Sequence, residues 1–170
     1  MKKNVILIGF MGSGKSTIGR ALSRKLDVKH IDTDWLIEKQ QSRKISEIFR
    51  DEGEAAFRKM ETACIQELLG RKYCYIISVG GGLPMKEVNR DILHELGQIV
   101  YLKADIATLE KRLSGDKKRP LLQEGNLHDK IAGLMEQRES TYENLADIIV
   151  CTDGKDIEQI TDEIMKGVEV

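Results

Sequence analysis

Residues Gly9–Ser16 read GFMGSGKS, between the apolar run Val5–Ile8 and the helix-like segment Thr17–Leu26. A strand that must turn into a helix through this loop has few backbone solutions. Gly9, Gly12 and Gly14 permit positive φ angles and close backbone approach, so the loop's N–H groups gather around an anion at a helix N-terminus. The spacing G-x-x-x-x-G-K-S lets Lys15 reach the outer phosphates of a nucleoside triphosphate and lets the Ser16 hydroxyl ligate Mg²⁺. A Gly/Ser-rich turn with an ordinary cap would use the same residue types, but the strand and helix on either side favour phosphate binding.

The rest of the chain alternates short Ile/Val-rich runs with amphipathic stretches. Val5–Gly9, Val28–Ile31, Tyr75–Val79, Ile99–Leu102 and Ile148–Cys151 read as strands. Helices are expected near Thr17–Leu26, Trp35–Gln40, Ile45–Phe49, Glu54–Leu69, Met85–Glu95, Ile106–Leu113, Leu127–Tyr142 and Asp156–Gly167. Nearly continuous apolar strands separated by helices predict a three-layer α/β/α fold around a parallel sheet, with ligands at the carboxyl ends of the strands. The 170 residues suit one domain, 1–170. The segment Ser114–Asn126 is polar, charged and broken by Gly and Pro. It suits either a solvated loop or, beside a nucleotide, a mobile lid at about 114–126. With 27 basic and 28 acidic residues the net charge is −1, which offers no field for nucleic acid or a membrane surface. No apolar stretch spans a bilayer and no signal peptide is evident, and Cys64, Cys74 and Cys151 have no zinc or redox spacing. The expectation is a cytoplasmic enzyme with core thiols, without nucleic-acid or membrane partners.

Several polar residues carry candidate chemistry. Asp32 and Asp34 follow the second strand. In an extended segment both would project into one cleft, one serving Mg²⁺ through its water shell and the other accepting a proton from a hydroxyl substrate. Either could instead cap the helix that follows. Gly80, Gly81 and Gly82 follow the third strand where a metal-serving acid would commonly stand. Three glycines suggest that something packs against backbone, with Pro84 opening the next helix. Arg138 falls inside the apolar stripe Leu127, Ile131, Leu134, Met135, Tyr142, so its guanidinium needs an anion, either an internal carboxylate or a carboxylate-bearing ligand. Arg58 lies at the flank of another stripe, where arginines often snorkel. His30, His94 and His128 read as surface or cap residues, and Asp105 as a helix N-cap.

The ordered set GFMGSGKS, Asp32-x-Asp34, Phe57-Arg58, Gly80-Gly81-Gly82, Arg119-Pro120-Leu121 and Gln137-Arg138 resembles the shikimate kinases, from near the N-terminus to about Asp153. The resemblance implies a P-loop kinase of the nucleoside-monophosphate-kinase type with a five-stranded parallel sheet. It implies transfer of the ATP γ-phosphoryl group to the 3-hydroxyl of shikimate, with Mg²⁺ as cofactor, in aromatic amino-acid synthesis. It further implies ATP binding by Gly12, Ser13, Gly14, Lys15, Ser16 and Thr17, with Arg112 near adenine and Arg119 reaching the transferring phosphate. Lys15, Asp34 and Arg119 are then the catalytic residues, and Ser16 and Asp32 serve the metal. Arg58 and Arg138 clamp the acceptor's carboxylate, Gly80–Gly82 line its pocket and Asp34 orients its hydroxyl. A monomer is expected. Kinases for gluconate or a nucleoside monophosphate share the phosphate loop but have less use for the acid pair with the triple glycine. A non-catalytic nucleotide-binding module would need no acceptor residues.

Overall fold

The strand β1 (Asn4–Ile8) sends alternate side chains to opposite faces. Ile6 and Ile8 enter one core cluster, and Val5 and Leu7 enter another. In a computed structural model describing residues 3–115, 122 and 125–169, this strand lies at the centre of the sheet. The other strands are β2 (Lys29–Asp32), β3 (Tyr75–Ser78), β4 (Gly97–Lys103) and β5 (Ile148–Cys151), and the sheet order is β2-β3-β1-β4-β5. Every pairing is parallel, with Leu7 opposite Ser78 on one side and Val100 on the other. The expected five-stranded parallel sheet is therefore present, with strand boundaries shifted by a residue or two.

Helices cover both faces, which explains why the central strands are apolar on both sides. Ile18 and Leu22 of α1 (Lys15–Leu26) and Ile160 and Ile164 of α7 (Ile157–Gly167) pack on the Val5/Leu7 face. The opposite face receives α3 (Ile45–Leu69), α4 (Glu87–Leu96) and α6 (Leu127–Leu145), through residues such as Ile65, Leu93 and Ile131. The remaining helices are α2 (Thr33–Gln41) and α5 (Ile106–Leu113). A separate cluster of Ile37, Ile48, Phe57 and Cys64 ties α2 to α3 beyond the edge of the sheet.

The chain leaves β1 toward the face carrying α1, whereas it leaves the adjacent β3 toward the face carrying α4. Their carboxyl ends diverge, and the crevice between them is where such sheets bind ligands. Two local features shape its walls. Gly53 interrupts α3 with φ 83° and ψ 172°, a conformation that glycine adopts without Cβ strain. The two helix-like patterns predicted on either side of residues 50–53 thus meet at a kink in one element. Pro84 lies in a short 3₁₀ turn, Leu83–Met85, and Lys86 is extended before α4 begins, so the helix expected from Met85 starts two residues later.

Candidate active site

A cleft of about 780 Å³ runs over the head of α1 and is lined by Gly12–Ile18, Asp32, Asp34, Ser78–Gly81, Arg112 and Lys155–Glu158. Gly14 caps α1 with φ 96° and supplies no side-chain cap bond, so the first-turn N–H groups face the cleft, with the positive end of the helix behind them. Lys15 Nζ donates to the carbonyls of Gly9 and Phe10 at 2.8 and 2.9 Å, which arches its side chain back over the loop. Gly9 itself admits no side chain: a Cβ there would stand 2.7 Å from the Leu102 carbonyl oxygen. Arg112 donates to the Gly12 carbonyl at 3.2 Å and so joins α5 to the phosphate loop. The backbone N–H of Thr152 bonds Lys103 at the end of β4, holding the Lys155–Glu158 segment as the opposite wall. This cavity is deep, anion-seeking at its floor and flanked by a guanidinium, as a triphosphate requires.

Both uses foreseen for the acid pair occur together in Asp32. Its Oδ1 caps α2 by accepting from the N–H groups of Asp34 and Trp35 at 3.0 and 3.3 Å, while its Oδ2 accepts from the Ser16 hydroxyl. A hydroxyl touching a carboxylate is an oxygen donor set suited to a hard cation. Among the described residues no group of three or more His, Cys, Asp or Glu gathers into a metal cage. Asp34 differs from the sequence expectation in its backbone. It lies in the first turn of α2 rather than in an extended segment, and reaches the same cleft because Asp32 ends the strand and starts the helix. Behind them Ser78 donates to the Lys15 carbonyl at 3.0 Å, so the His30 Nε2–H is the donor in the 2.9 Å contact with Ser78. Burial lowers the His30 pKa, and the Asp32 charge opposes that shift. His30 is therefore a half-buried brace under the phosphate loop and not the surface residue expected, whereas His94 and His128 are exposed.

The triple glycine supplies room, since none of its members has a positive φ. A Cβ on Gly80 would stand 2.7 Å from Glu61 Oε1 and 2.9 Å from Asp34 Oδ1. On Gly81 it would press on the Gly9 carbonyl oxygen and Met11 nitrogen at 3.3 Å, and on Gly82 it would fall within 2.6 Å of the Arg58 guanidinium. Arg58 thus lies flat against the loop, held by Glu61 at 2.7 Å and Glu54 at 3.0 Å. Arg138 is 5 % exposed and lies over the Phe10 ring at 5.8 Å, and its Nη1 is buried with no hydrogen-bond partner. From the same helix the Tyr142 hydroxyl donates to the Gly81 carbonyl at 2.5 Å.

Glu61 is a site residue that the sequence patterns did not single out. It is completely buried, and burial pushes its carboxyl up to about 7 although Arg58 and Arg138 pull it down; Asp34 adds to the rise. Its signal lies in the spacing, because Glu61 falls between Phe57 and Cys64 on the buried face of α3. Of the other expected site residues, Gly12–Thr17, Asp32, Asp34, Gly80, Gly81 and Arg112 line one cleft, and Arg58, Gly82 and Arg138 gather beside it around Glu61. Arg119 and most of the 114–126 segment lie outside the described residues. Asp105 caps α5 as expected by accepting from Thr108 N–H. Of the three free cysteines only Cys64 is a buried core thiol; Cys151 is exposed on the edge strand β5, where one flank of the backbone has no covering strand.

A parallel five-stranded sheet with this loop, this hydroxyl–carboxylate pair and an adjoining guanidinium pocket defines a P-loop kinase. Residues 11–169 match the family described as shikimate kinase. The chain belongs to the shikimate kinase family. It is 39 % identical over 169 residues to a shikimate kinase of Dictyoglomus turgidum, covering 98 % of this chain and 97 % of the relative. A shikimate kinase of Persephonella marina is 40 % identical over 163 residues, covering 96 % and 97 %. Among solved structures, shikimate kinase from Acinetobacter baumannii in complex with shikimate superposes with a TM-score of 0.93 at 34 % identity, covering 98 % of this chain and 92 % of that one. A gluconokinase from Sinorhizobium meliloti, at 16 % identity and a TM-score of 0.61, shares the fold alone.

Proposed function

We infer that this chain phosphorylates the 3-hydroxyl of shikimate with ATP, yielding shikimate 3-phosphate and ADP in the route to chorismate and the aromatic amino acids. Family membership gives the reaction, and one observation carries its assignment to this pocket. Arg138 is a buried guanidinium with an unpartnered nitrogen, beside a second guanidinium and next to a phosphate loop. Glu61 balances its charge from nearby, but a buried N–H without a hydrogen-bond partner is unfavourable, and a planar carboxylate is its natural complement. A small cyclic acid whose carboxylate meets Arg58 and Arg138 would then turn its ring hydroxyls toward Asp34 and the phosphate loop.

In this reading the α1 N-terminus and Lys15 hold the β- and γ-phosphates, and Asp34 orients the acceptor hydroxyl and receives its proton. Ser16 and Asp32 would hold Mg²⁺, which when bound would neutralise charge on the phosphates. Lys15 would exchange its bonds to the Gly9 and Phe10 carbonyls for bonds to phosphate oxygens. Arg112 borders the base end of the cleft. Arg119 approaches the transferring phosphate from a lid at about 114–126 that excludes water as a competing acceptor. The whole forms one catalytic domain acting as a monomer in the cytoplasm. Among the described residues no helix is long and apolar enough to cross a membrane.

The test is a coupled ADP-release assay with shikimate, gluconate and nucleoside monophosphates as acceptors in the presence of Mg²⁺. Turnover should be confined to shikimate. ADP release with gluconate and none with shikimate would reject the assignment.

A further inference from the structure

The first turn of α1 is gripped from beneath by two side chains of β2. His30 and Asp32 are two residues apart on the strand, so both face α1. Asp32 takes the Ser16 hydroxyl directly. His30 works one step further back. Its Nε2–H donates to Ser78 Oγ at 2.9 Å, and the Ser78 hydroxyl donates to the Lys15 carbonyl at 3.0 Å. A serine hydroxyl has one proton, here given to Lys15, so the imidazole nitrogen facing it carries the proton between them. Gly19 makes room for this chain of bonds on α1: a Cβ there would stand 2.7 Å from His30 Cδ2 and 2.8 Å from Ser78 Oγ. The Lys15 carbonyl shares a trans peptide plane with the Ser16 N–H, and the two point in opposite directions. A bond that fixes the carbonyl therefore aims the N–H. That N–H is one of the donors presented to the cleft at the head of α1.

We propose that His30 is a positioning residue for the nucleotide, which acts through Ser78 and the Lys15 carbonyl to aim the Ser16 N–H at a phosphate oxygen. The proposal rests on the reading of Gly9–Ser16 as the triphosphate site. His30 itself does not line the cleft, so its effect on the nucleotide is indirect. A donor already aimed needs no reordering when the phosphate arrives, whereas an unbraced peptide plane must first be oriented. Asp32 offers no substitute, since its Oδ2 is taken by Ser16 and its Oδ1 by the head of α2. The effect is also confined to one side of the sheet. Arg58, Glu61 and Arg138 belong to α3 and α6 on the opposite face, so the acceptor pocket should not register the loss of the imidazole.

The experiment combines steady-state kinetics with calorimetric titration of ADP in the presence of Mg²⁺. His30→Phe keeps a flat ring and removes the N–H. It should raise the KM for ATP and the Kd for ADP about threefold to tenfold, with kcat and the KM for shikimate within about twofold of wild type. His30→Gln, whose side-chain amide carries an N–H at similar reach, should recover most of that loss. The double variant His30→Phe/Ser78→Ala should bind ADP no more weakly than Ser78→Ala alone, because the two residues act in series. Unchanged nucleotide affinity in a folded His30→Phe, or an equal rise in every constant, would overturn the proposal. So would equal defects in the Phe and Gln variants, or additive losses in the double variant. Each of these leaves the phosphate-loop reading standing, whereas a wild-type enzyme that binds no ADP would remove that reading and the proposal with it. Should the variants fail to fold, the wild type decides alone. Nitrogen-correlated NMR of its imidazoles at about pH 7.5 should show the His30 proton on Nε2, and a proton on Nδ1 only would overturn the proposal.

Discussion

Replacing Gly82 by alanine tests the proposed acceptor clamp apart from the nucleotide cleft. The backbone at Gly82 has φ −86° and ψ −11°, which alanine adopts without strain. The added methyl, however, would fall 2.5–2.6 Å from Arg58 Nη2, Cζ and Nη1. Arg58 is the flexible party and must move, which separates it from the 2.7 Å contact with Glu61 and from any carboxylate bound there. A hydrogen bond to a charged group contributes about 1.5–3 kcal/mol, so the KM for shikimate should rise roughly tenfold to a hundredfold. Global stability should fall as well, since the buried Glu61 loses its 2.7 Å partner, and the about 0.4–1 kcal/mol that Gly→Ala contributes by restricting the unfolded chain offsets only part of that.

The nucleotide side provides the internal control. Gly82 does not border the triphosphate cleft, so the KM for ATP should stay within twofold of wild type. Gly81→Ala should behave differently. Its methyl would press at 3.3 Å on the Gly9 and Met11 backbone of the phosphate loop, and the KM for ATP should rise as well. Coupled ADP-release kinetics, varying each substrate at saturation of the other, measures both constants. The chain's sole tryptophan, Trp35, is 60 % exposed and adjacent to Asp34, so its fluorescence gives an independent binding curve for shikimate. A folded Gly82→Ala enzyme with an unchanged KM for shikimate, or with both constants raised equally, would refute the placement of Arg58 as an acceptor group.

Asp34→Asn should lower kcat about 10²–10⁴-fold while leaving ATP affinity within twofold, because it removes the group proposed to meet the acceptor hydroxyl and no proposed phosphate ligand; rapid-quench or steady-state turnover near the wild-type rate would discharge Asp34 from that task. Arg138→Ala should raise the KM for shikimate at least tenfold with kcat less affected; loss of fold without a kinetic split would make Arg138 a purely internal partner of Glu61. Glu61 also predicts a stability profile. Its carboxyl is raised from 4.5 to about 7 in the folded chain, so the native state binds this proton more tightly than the unfolded one. The resulting stabilisation is fully present below about pH 4.5 and lost as pH rises to about 7, by about 3 kcal/mol in all. Urea unfolding at pH 5 and pH 8 should show the difference between wild type and Glu61→Gln changing by an amount of that order; a pH-independent difference would contradict the burial argument.

The sheet and the phosphate loop are legible in the sequence because their signals are local. Five apolar runs bounded by helical patterns leave a parallel sheet as the economical solution, and a glycine nest between strand and helix can serve few ends. Boundaries slip where a residue serves two elements. Asp32 both ends β2 and caps α2, so Asp34, which the pattern makes the next outward position of a strand, in fact occupies a helix turn. Its destination is the same, because a capped helix start and a strand end lie within one turn of each other. His30 departs from expectation for a different reason. Gly19 leaves a gap on α1 into which the imidazole and the Ser78 hydroxyl fit, and a tertiary gap of that kind leaves no trace in the periodicity around His30.

Glu61 obeys a rule that singles out Arg138. Arg138 stands out as a charge within an apolar stripe, and Glu61 occupies the same kind of position in α3, four residues after Phe57 and three before Cys64. A buried charge needs a partner of opposite sign. Two such charges on different helices, one acidic and one basic, are therefore candidates to meet. In the structure the two do meet, since the Arg138 charge acts on Glu61. A guanidinium has five N–H donors, so an internal carboxylate can orient it without using up its capacity: Arg58 meets Glu61 and Glu54 through different nitrogens, and Arg138 keeps a buried Nη1 without a hydrogen-bond partner.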